Sequence, residues 1–263
     1  MAKKLIFETI SLGTEPAIPG AGKLAEWVGA QRGRKADLVS YLLEVGLIPQ
    51  QDAGVTLPCA GGIFYGERWK ESFLGLTGGQ ITGELDVMPD YVSDDAMRIR
   101  EISATCRVAL PAPHQLSLAD RYYGDEDEAS FALYSQYRRL FRAMRDRGVS
   151  GHVLHCSHAL PEELETLAGK NVFFYMESSG AESMATILEH QQVLAVKMDD
   201  LSLLLKMGDE YVIDRVIIVD PGMDDLREAL QFFDPDCIQV GGFCTTDSER
   251  YWESLVESST ISL

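Results

Sequence analysis

Short, continuously apolar segments recur along the chain and alternate with amphipathic ones. Residues 172–176 read VFFYM and residues 216–219 read VIIV. Runs of this kind are typical of parallel strands that are buried on both faces. Eight segments are predicted to be such strands: 5–11, 55–59, 107–111, 151–156, 172–177, 193–198, 215–220 and 238–243.

Segments with helical periodicity lie between the strands and cover residues 21–33, 35–45, 126–147, 161–167, 183–190, 223–233 and 248–257. Pro161 suits the first turn of a helix, and Gly148 is an end signal after the longest predicted helix. Strands that alternate with helices favour an α/β fold, and eight of them predict a (β/α)8 TIM barrel. A doubly wound open sheet is the alternative. No glycine-rich phosphate loop opens any of these helices, which disfavours nucleotide binding.

One segment, residues 61–90, interrupts this alternation. It is rich in glycine, and Gly78-Gly79 separates two stretches within it. We predict an inserted hairpin or lid after the second strand, with an interface as the alternative role. No low-complexity linker or sequence repeat divides the chain, so residues 1–263 are predicted to form a single barrel domain.

Composition and charge narrow the class of protein. Hydrophobic residues make up 46% of the 263 residues, and no apolar run approaches the ~18–20 residues of a membrane span. The net charge of −18 argues against nucleic-acid and anionic-membrane partners. Five scattered cysteines and no recognisable signal peptide predict reduced thiols in a cytoplasmic protein. The expected partner is a small-molecule substrate, and a homodimer is left open.

Polar residues follow the predicted strands at their carboxyl ends, where barrel enzymes place their active sites. The residues expected to be catalytic are His155, Cys156, His158, Glu177 and Lys197. The residues expected to contact substrate are Ser11, Glu15, His114, Tyr123, Tyr175 and Asp220. The histidines would act as acid–base groups, Glu177 as a base and Lys197 as an anion binder. A surface lysine paired with a neighbouring aspartate is the alternative for Lys197.

The segment His155-Cys156-Ser157-His158 carries the densest chemistry. Two imidazoles and a thiol are ligand types for zinc, and a cysteine beside a histidine can instead be an activated nucleophile. Neighbours on a strand point to opposite faces, so His155 and Cys156 face inward together only if the strand has ended. Metal binding, acid–base catalysis and a structural role all stay open. The loop Tyr122-Tyr123-Gly124-Asp125 either closes over a ligand or caps the helix that follows it.

Several motifs together resemble one family. Residues 108–154 contain Leu110-Pro111-Ala112-Pro113, the Tyr-Tyr-Gly-Asp loop, a long helix and a second strand. Ile10-Ser11-Leu12-Gly13-Thr14-Glu15-Pro16 and Gly241-Gly242-Phe243 lie at the ends of the first and last strands. In this order and spacing they resemble the catalytic barrel of cobalamin-independent methionine synthases and their single-barrel relatives. The resemblance extends over the whole chain and implies a barrel that transfers a methyl group to a zinc-activated thiol.

The zinc ligands of that family are a His-x-Cys pair, a glutamate and a late cysteine. Carried over, they fall on Tyr175-Met176-Glu177, at or near Lys197, and on Gly241. The acidic pair of the fourth strand falls on His155-Cys156-Ser157, and the Asp-Gly-Glu of the second strand falls near Cys59-Ala60-Gly61. The resemblance therefore implies a retained fold without the usual zinc site. Uroporphyrinogen decarboxylase has a similar barrel without zinc, so loss of the metal need not end catalysis.

Three hypotheses follow from these residues. The first is a methyltransferase-like or lyase-like barrel enzyme that acts on a small polar molecule bearing a thiol or a carboxylate. Methyl or other one-carbon transfer is the class that the resemblance implies. The second is a non-catalytic relative that binds a small molecule or a protein. The third is a relocated zinc site on His155, His158, Glu177 and Cys244, so the cofactor stays unknown, with zinc open.

Overall fold

The computed structural model describes residues 4–177, 180–245 and 248–262. Its strands are β1 (Lys4–Ile6), β2 (Glu8–Thr14), β3 (Cys59–Gly61), β4 (Phe73–Thr77), β5 (Gln80–Val87), β6 (Arg107–Pro111), β7 (Ala119–Asp120), β8 (His152–His155), β9 (Val172–Tyr175), β10 (Val193–Val196), β11 (Arg215–Val219), β12 (Ile238–Cys244) and β13 (Thr260–Ser262). Its helices are α1 (Ala21–Ala30), α2 (Leu38–Ala53), α3 (Gly66–Glu71), α4 (Asp90–Ile102), α5 (Glu126–Asp146), α6 (Pro161–Leu167), α7 (Ala181–Leu188), α8 (Met198–Met207), α9 (Met223–Ala229) and α10 (Ser248–Ser258). No helix within these described ranges is both long and apolar enough to cross a membrane.

Eight parallel strands form the centre of the fold. One sheet has the order β10-β11-β12-β2 and the other has the order β3-β6-β8-β9. A parallel bridge between Ile10 and Leu57 joins β2 to the chain just before β3, so the two sheets are continuous there. The neighbours therefore follow the chain order around the fold, as the alternation of strands and helices predicted. The prediction of a parallel α/β fold is confirmed.

The joint between β9 and β10 differs from the other seven. No backbone ladder joins these two strands within the described residues. Instead, the Gln191 side chain lies between them: its Nε2 donates to the carbonyls of Phe174 and Val193, each at 2.9 Å. Its Oε1 accepts from the backbone N–H of Phe174, also at 2.9 Å. Backbone hydrogen bonds thus leave the eight strands unconnected at one joint, and one amide side chain bridges the gap.

Inward-facing side chains pack the space between the strands. They form one cluster that draws on seven strands: Ile10, Leu12, Cys59, Ala109, Val153, Tyr175, Ala195, Ile217 and Val219. The eighth strand, β12, contributes Gly241, where a Cβ would lie only 2.3 Å from Ile217 Cγ2. Alternate residues such as Leu154 and Phe174 join a larger core outside the strands. The space between the strands is therefore a packed core, and a site built on these strands lies at their ends.

The insertion after the second strand contains the predicted hairpin. β4 and β5 pair antiparallel around Gly78-Gly79, whose φ angles of +57° and +77° suit glycine. β5 also pairs with β7, and Gln136 of α5 donates its side-chain amide to the Leu85 carbonyl. These contacts attach the hairpin to the helix layer, and its role as a lid stays a prediction.

Three of the helices, α3, α4 and α8, were not predicted. α4 is dense in charge, and its buried Asp95 accepts from Arg68 Nε at 2.8 Å, while Arg68 Nη2 also reaches Asp37 at 2.7 Å. Paired charges occupy positions that an apolar stripe normally fills, which hid the helix from a hydrophobic pattern. α8 begins at Met198, inside the segment predicted as a strand, and buries Leu201 and Leu204.

Candidate functional site

Side chains from the carboxyl ends of neighbouring strands meet at one end of the fold. The group consists of His155, Tyr175, Glu177, Lys197, Asp220, Phe243 and Tyr251, and we call it the mouth cluster. Five of its members were predicted from the sequence, as catalytic or substrate-contacting residues. Phe243 and Tyr251 were not. The strand ends that predicted the site are therefore brought together, and the last strand and helix complete the group.

His155 is a buried member of the mouth cluster. Strand alternation turns Val153 and His155 inward, and it turns Leu154 outward. His155 Nε2 lies 2.7 Å from the Leu12 carbonyl on β2, so the ring spans the interior and donates a hydrogen bond there. Burial lowers the pKa of His155 to about 4. The ring is thus neutral at pH 7, with its proton on Nε2 and its lone pair on Nδ1.

Aromatic rings surround the His155 imidazole. The Tyr175 ring meets it edge-on with centroids 5.1 Å apart, and the Phe243 ring lies 4.6 Å away. Tyr175 is buried, and this burial raises the pKa of its phenol well above the usual value. The phenol therefore keeps its proton at all ordinary pH values. Together the three rings offer an apolar surface with one neutral donor.

Charged groups stand at the outer edge of the mouth cluster. Lys197 Nζ lies 3.2 Å from Glu177 Oε1, with 45% and 69% of the two side chains exposed. A solvent-exposed ion pair of this kind is worth only about 0–1 kcal/mol. Glu177 therefore holds Lys197 only weakly, and the Lys197 ammonium is available to bind an anionic group of a ligand.

Asp220 follows β11 in a left-handed conformation, with φ at +52°. Such a backbone costs a non-glycine residue on the order of 1–3 kcal/mol and is most often kept at functional sites. The Tyr251 hydroxyl donates a hydrogen bond to its carboxylate. Shielding by the surrounding chain raises the pKa of Asp220, while Tyr251 and Lys197 hold it down. Asp220 thus has a strained backbone, and the hydrogen bond from Tyr251 fixes the orientation of its carboxylate.

Tyr251 reaches the mouth cluster from α10 across the last strand. A Cβ at Gly242 would lie 2.3 Å from Tyr251 Oη, so a glycine is needed beneath the phenol. Burial and the neighbouring Asp220 raise the pKa of Tyr251 well above its usual value. The sequence does not indicate this role of Tyr251. Tyr251 and Trp252 are adjacent aromatic residues on a helix, and such a pair normally indicates core packing. Only the fold places its hydroxyl against Asp220.

A second polar group involves His114. The Glu163 carboxylate accepts twice from this residue: from its backbone N–H at 2.7 Å and from ring Nδ1 at 2.9 Å. Ring Nε2 lies 3.2 Å from Ser157 Oγ, which lies 3.0 Å from His158 Nδ1. The His114 and His158 rings are 4.4 Å apart. Predicted residues His114 and His158 thus lie together in this second group, apart from the contacts that link the mouth cluster.

Glu163 was missed by the sequence analysis, although a signal exists. It lies on α6 beside Leu164 and four residues before Leu167, and all three are buried. An acidic residue within an apolar stripe is costly to bury unless it has partners. Such a residue therefore indicates a hydrogen-bonded role, and here the partner is His114.

Four other predicted residues lie outside the mouth cluster. Cys156 faces the outer core, where burial raises the pKa of its thiol to about 12 and leaves it protonated. Ser11 Oγ accepts from the Gly13 N–H at 3.2 Å. The Glu15 carboxylate accepts from two backbone N–H groups at residues 63 and 64, and burial raises its pKa. The Tyr123 hydroxyl accepts from the Leu85 N–H at 2.9 Å in the hairpin.

The Tyr-Tyr-Gly-Asp loop is a helix start. Asp125 caps α5, and its side chain accepts from the Glu128 N–H at 3.0 Å. Asp120 accepts from three backbone N–H groups of the loop, at Tyr122, Tyr123 and Gly124. Of the two alternatives for this loop, the contacts support helix capping.

Comparison with known proteins adds the fold family. No family model and no curated protein matches the chain. Solved structures do match. A B12-independent methionine synthase from Shewanella sp. W3-18-1, in complex with selenomethionine, is 12% identical over 97% of this chain and 96% of that one, with a TM-score of 0.66. The chain has the fold of B12-independent methionine synthases.

Two further structures agree with this result. A Listeria monocytogenes protein assigned as a vitamin-B12-independent methionine synthase is 13% identical over 97% of this chain and 96% of that one, with a TM-score of 0.65. A methyltransferase from Methanosarcina mazei is 12% identical over 97% and 93%, with a TM-score of 0.53. The resemblance predicted from the sequence is thus confirmed at the level of the fold.

The positions that would hold zinc in the methionine-synthase fold do not suit it here. Zinc takes cysteine sulfur, histidine nitrogen and carboxylate oxygen. The residues that the sequence resemblance assigns to these positions are Tyr175, Glu177, Lys197 and Gly241, of which Glu177 alone is a good ligand. No side chain fits at Gly241, because its Cβ would collide with Ile217. We therefore derive no step through zinc at these positions.

The relocated zinc site is not formed either. Within the described part of the chain, no three histidine, cysteine, aspartate or glutamate side chains lie close enough together to hold a metal ion. His155 and His158 belong to different groups of contacts, the first with Leu12 and the second with Ser157. The hypothesis of a site on His155, His158, Glu177 and Cys244 is therefore wrong for this conformation.

Proposed function

We propose that the mouth cluster binds a small zwitterionic amino acid related to methionine, as part of methyl or one-carbon transfer without the family's usual zinc site. The observation that carries this proposal is the meeting of one accessible ammonium, Lys197, with two carboxylates, Glu177 and Asp220, beside an aromatic surface. The selenomethionine bound to the Shewanella protein supports the same class of ligand. We propose that the fold as a whole is a (β/α)8 barrel, in which the Gln191 side chain connects β9 and β10.

Each group has a role that follows from its chemistry. Lys197 would bind the ligand carboxylate, because its present partner is exposed and weakly held. Asp220, oriented by Tyr251, would accept hydrogen bonds from the ligand ammonium. Tyr175 and Phe243 would pack against the apolar side chain of the ligand, as aromatic residues pack against thioethers.

Methyl transfer to a thiol also requires that the sulfur lose its proton. In the mouth cluster, His155 Nδ1 is a neutral acceptor, but a pKa of about 4 makes it a weak base at pH 7. We therefore assign His155 to orienting the sulfur through a hydrogen bond rather than to holding its proton. The mouth cluster itself would contribute binding and orientation, which shorten the distance between reacting groups.

The test is calorimetric titration of the protein with L-methionine and L-selenomethionine. Lys197→Met should weaken binding about 10-fold or more, since a hydrogen bond to a charged group contributes ~1.5–3 kcal/mol. Lys206→Met is the matched control, because Lys206 lies exposed near the far end of α8, the helix that begins directly after Lys197. No binding of either amino acid by the unchanged protein, or equal weakening in both variants, would overturn the proposal.

A non-catalytic binding relative is the second candidate. It is favoured by the replaced zinc positions, at which Gly241 has no room for a side chain. The two candidates differ in methyl exchange between ¹³C-methyl-labelled L-methionine and a small thiol. In that reaction the methyl group moves from one sulfur to the other, and the thiol proton moves to the displaced thiolate. Exchange above the rate without protein supports transfer, and binding without exchange supports the binding relative.

A further inference from the structure

Ser157, His114 and Glu163 form a continuous series of hydrogen bonds that the mouth cluster does not use. Ser157 Oγ lies 3.2 Å from His114 Nε2, and His114 Nδ1 lies 2.9 Å from Glu163 Oε2. The three residues come from different elements: the end of β8, the turn after β6, and α6. A hydroxyl, an imidazole and a carboxylate in this order are the parts of a nucleophile with its base and its orienting acid.

The hydrogen bonds fix the roles of the three groups. Glu163 accepts from both the backbone N–H and the ring Nδ1 of His114, so the ring carries its proton on Nδ1. Nε2 is then the lone-pair nitrogen and accepts from the Ser157 hydroxyl. We assign the His158 ring proton to Nδ1, which lies 3.0 Å from Ser157 Oγ and then donates to the same oxygen. The Ser157 proton therefore already points at the base that would receive it.

Exposure to solvent increases from Glu163 through His114 to Ser157. The Glu163 side chain is 1% exposed, the His114 side chain is 13% exposed, and Ser157 is exposed. An acid held out of water behind a nearly buried imidazole, with an accessible hydroxyl in front, is preorganised for reaction at the hydroxyl. A surface hydrogen bond between serine and histidine would not need a buried carboxylate.

We propose that Ser157 is a nucleophile for acyl transfer and takes small, uncharged carboxylic esters. The net charge of −18 disfavours anionic esters, and the groups that face Ser157 are imidazoles and the Gln115 amide. This is an activity beyond the methionine binding assigned to the mouth cluster. The two sites share β8 but use different side chains, so either proposal can fail alone.

Acyl transfer from an ester to Ser157 needs no cofactor. Ser157 Oγ forms a bond to the ester carbonyl carbon while its proton moves to His114 Nε2. The bond to the alkoxy oxygen then breaks, and the leaving alcohol takes the proton from His114. The acyl group stays on Ser157 until water attacks it, again with His114 as base, which releases the carboxylic acid. Glu163 keeps its charge throughout and acts as a positioning residue.

The negative oxygen that develops on the ester during acyl transfer needs a hydrogen-bond donor near Ser157. The Ser157 N–H is already bonded to the Gln115 side-chain oxygen at 2.8 Å, in the orientation that satisfies this amide. The His158 ring N–H is the donor that remains close to Oγ. We therefore expect slow acyl transfer, with accumulation of the acyl form, rather than rapid turnover.

The experiment combines covalent labelling with ester hydrolysis. A fluorophosphonate probe should add once per chain with loss of fluoride, and peptide mapping should place the adduct on Ser157. 4-Nitrophenyl acetate should give a burst of nitrophenol. Ser157→Ala should abolish both signals, and His114→Gln should lower the labelling rate by roughly 10²-fold or more, the usual effect of removing a general base. Ser202→Ala, which removes an exposed serine of α8, should change neither.

Glu163→Gln tests the positioning role. It should lower kcat for 4-nitrophenyl acetate and leave KM unchanged, because Glu163 does not touch the ester. A purely structural role would instead raise KM or lower the melting temperature without a selective loss of kcat. Absence of labelling in the unchanged protein, or labelling that persists in Ser157→Ala, would overturn the proposal.

Discussion

Replacing His152 with leucine should make the protein less sensitive to acid. His152 lies on β8 and faces the outer core, where its ring stacks on Phe141 with centroids 4.2 Å apart. It is fully buried, and neither ring nitrogen has a hydrogen-bond partner among the residues that the structure describes. Burial lowers the pKa of His152 to about 3. Protonation of this ring therefore favours the unfolded chain.

The size of the effect follows from the two pKa values. In the unfolded chain the pKa is the ordinary 6.5, and in the folded protein it is about 3. The unfolded state thus binds more protons between these values, so stability falls as the pH drops below about 6.5. A pH of 5 lies 1.5 units below the pKa of His152 in the unfolded chain. This interval corresponds to a loss of about 2 kcal/mol from the free energy of unfolding.

Urea unfolding at pH 7 and pH 5 measures this difference directly. The loss of stability between the two pH values should be about 2 kcal/mol smaller in His152→Leu than in the unchanged protein. At pH 7 the variant should be no less stable, because leucine is similar in volume and leaves no unpaired polar atom. His190→Gln, at a partly exposed position, is the control and should keep the original loss. An equal loss in His152→Leu and the unchanged protein would refute the reasoning.

Two other predictions concern stability and thiol reactivity. Gly241→Ala should destabilise the fold by about 1–3 kcal/mol in urea unfolding, since its Cβ would lie 2.3 Å from Ile217 Cγ2, whereas Gly20→Ala, with open space around it, should be close to neutral. Iodoacetamide at pH 8 should modify Cys237 before Cys156, because Cys237 is partly exposed while burial raises the pKa of Cys156 to about 12. Mass spectrometry of the native protein checks the order, and early modification of Cys156 would contradict its burial.

The sequence predicts the strands well because each is a continuous apolar run. The observed β6 and α6 have the predicted bounds, and the other seven central strands overlap the predicted segments. Strand alternation also separates His155 from Cys156, which face opposite sides as expected. These features depend on local pattern, and local pattern can be read along the chain.

Features that depend on distant partners were not predictable in this way. The charged helix α4 buries Asp95 beside Val92 and Ile99, and this carboxylate is paired with Arg68 from another element. Tyr251 gains its role from Asp220, which lies 31 positions earlier in the chain. Glu163 gains its role from His114, at a separation of 49 positions. In each case the chemistry arises from a pair that only the folded chain brings together.

The Gln191 side chain makes the hydrogen bonds that connect β9 with the start of β10. Releasing one amide side chain would part β9, which leads to Tyr175 and Glu177, from β10, which leads to Lys197. Every other neighbouring pair would remain bonded through its backbone. The two charges that frame the proposed ligand could then move apart without the loss of any strand.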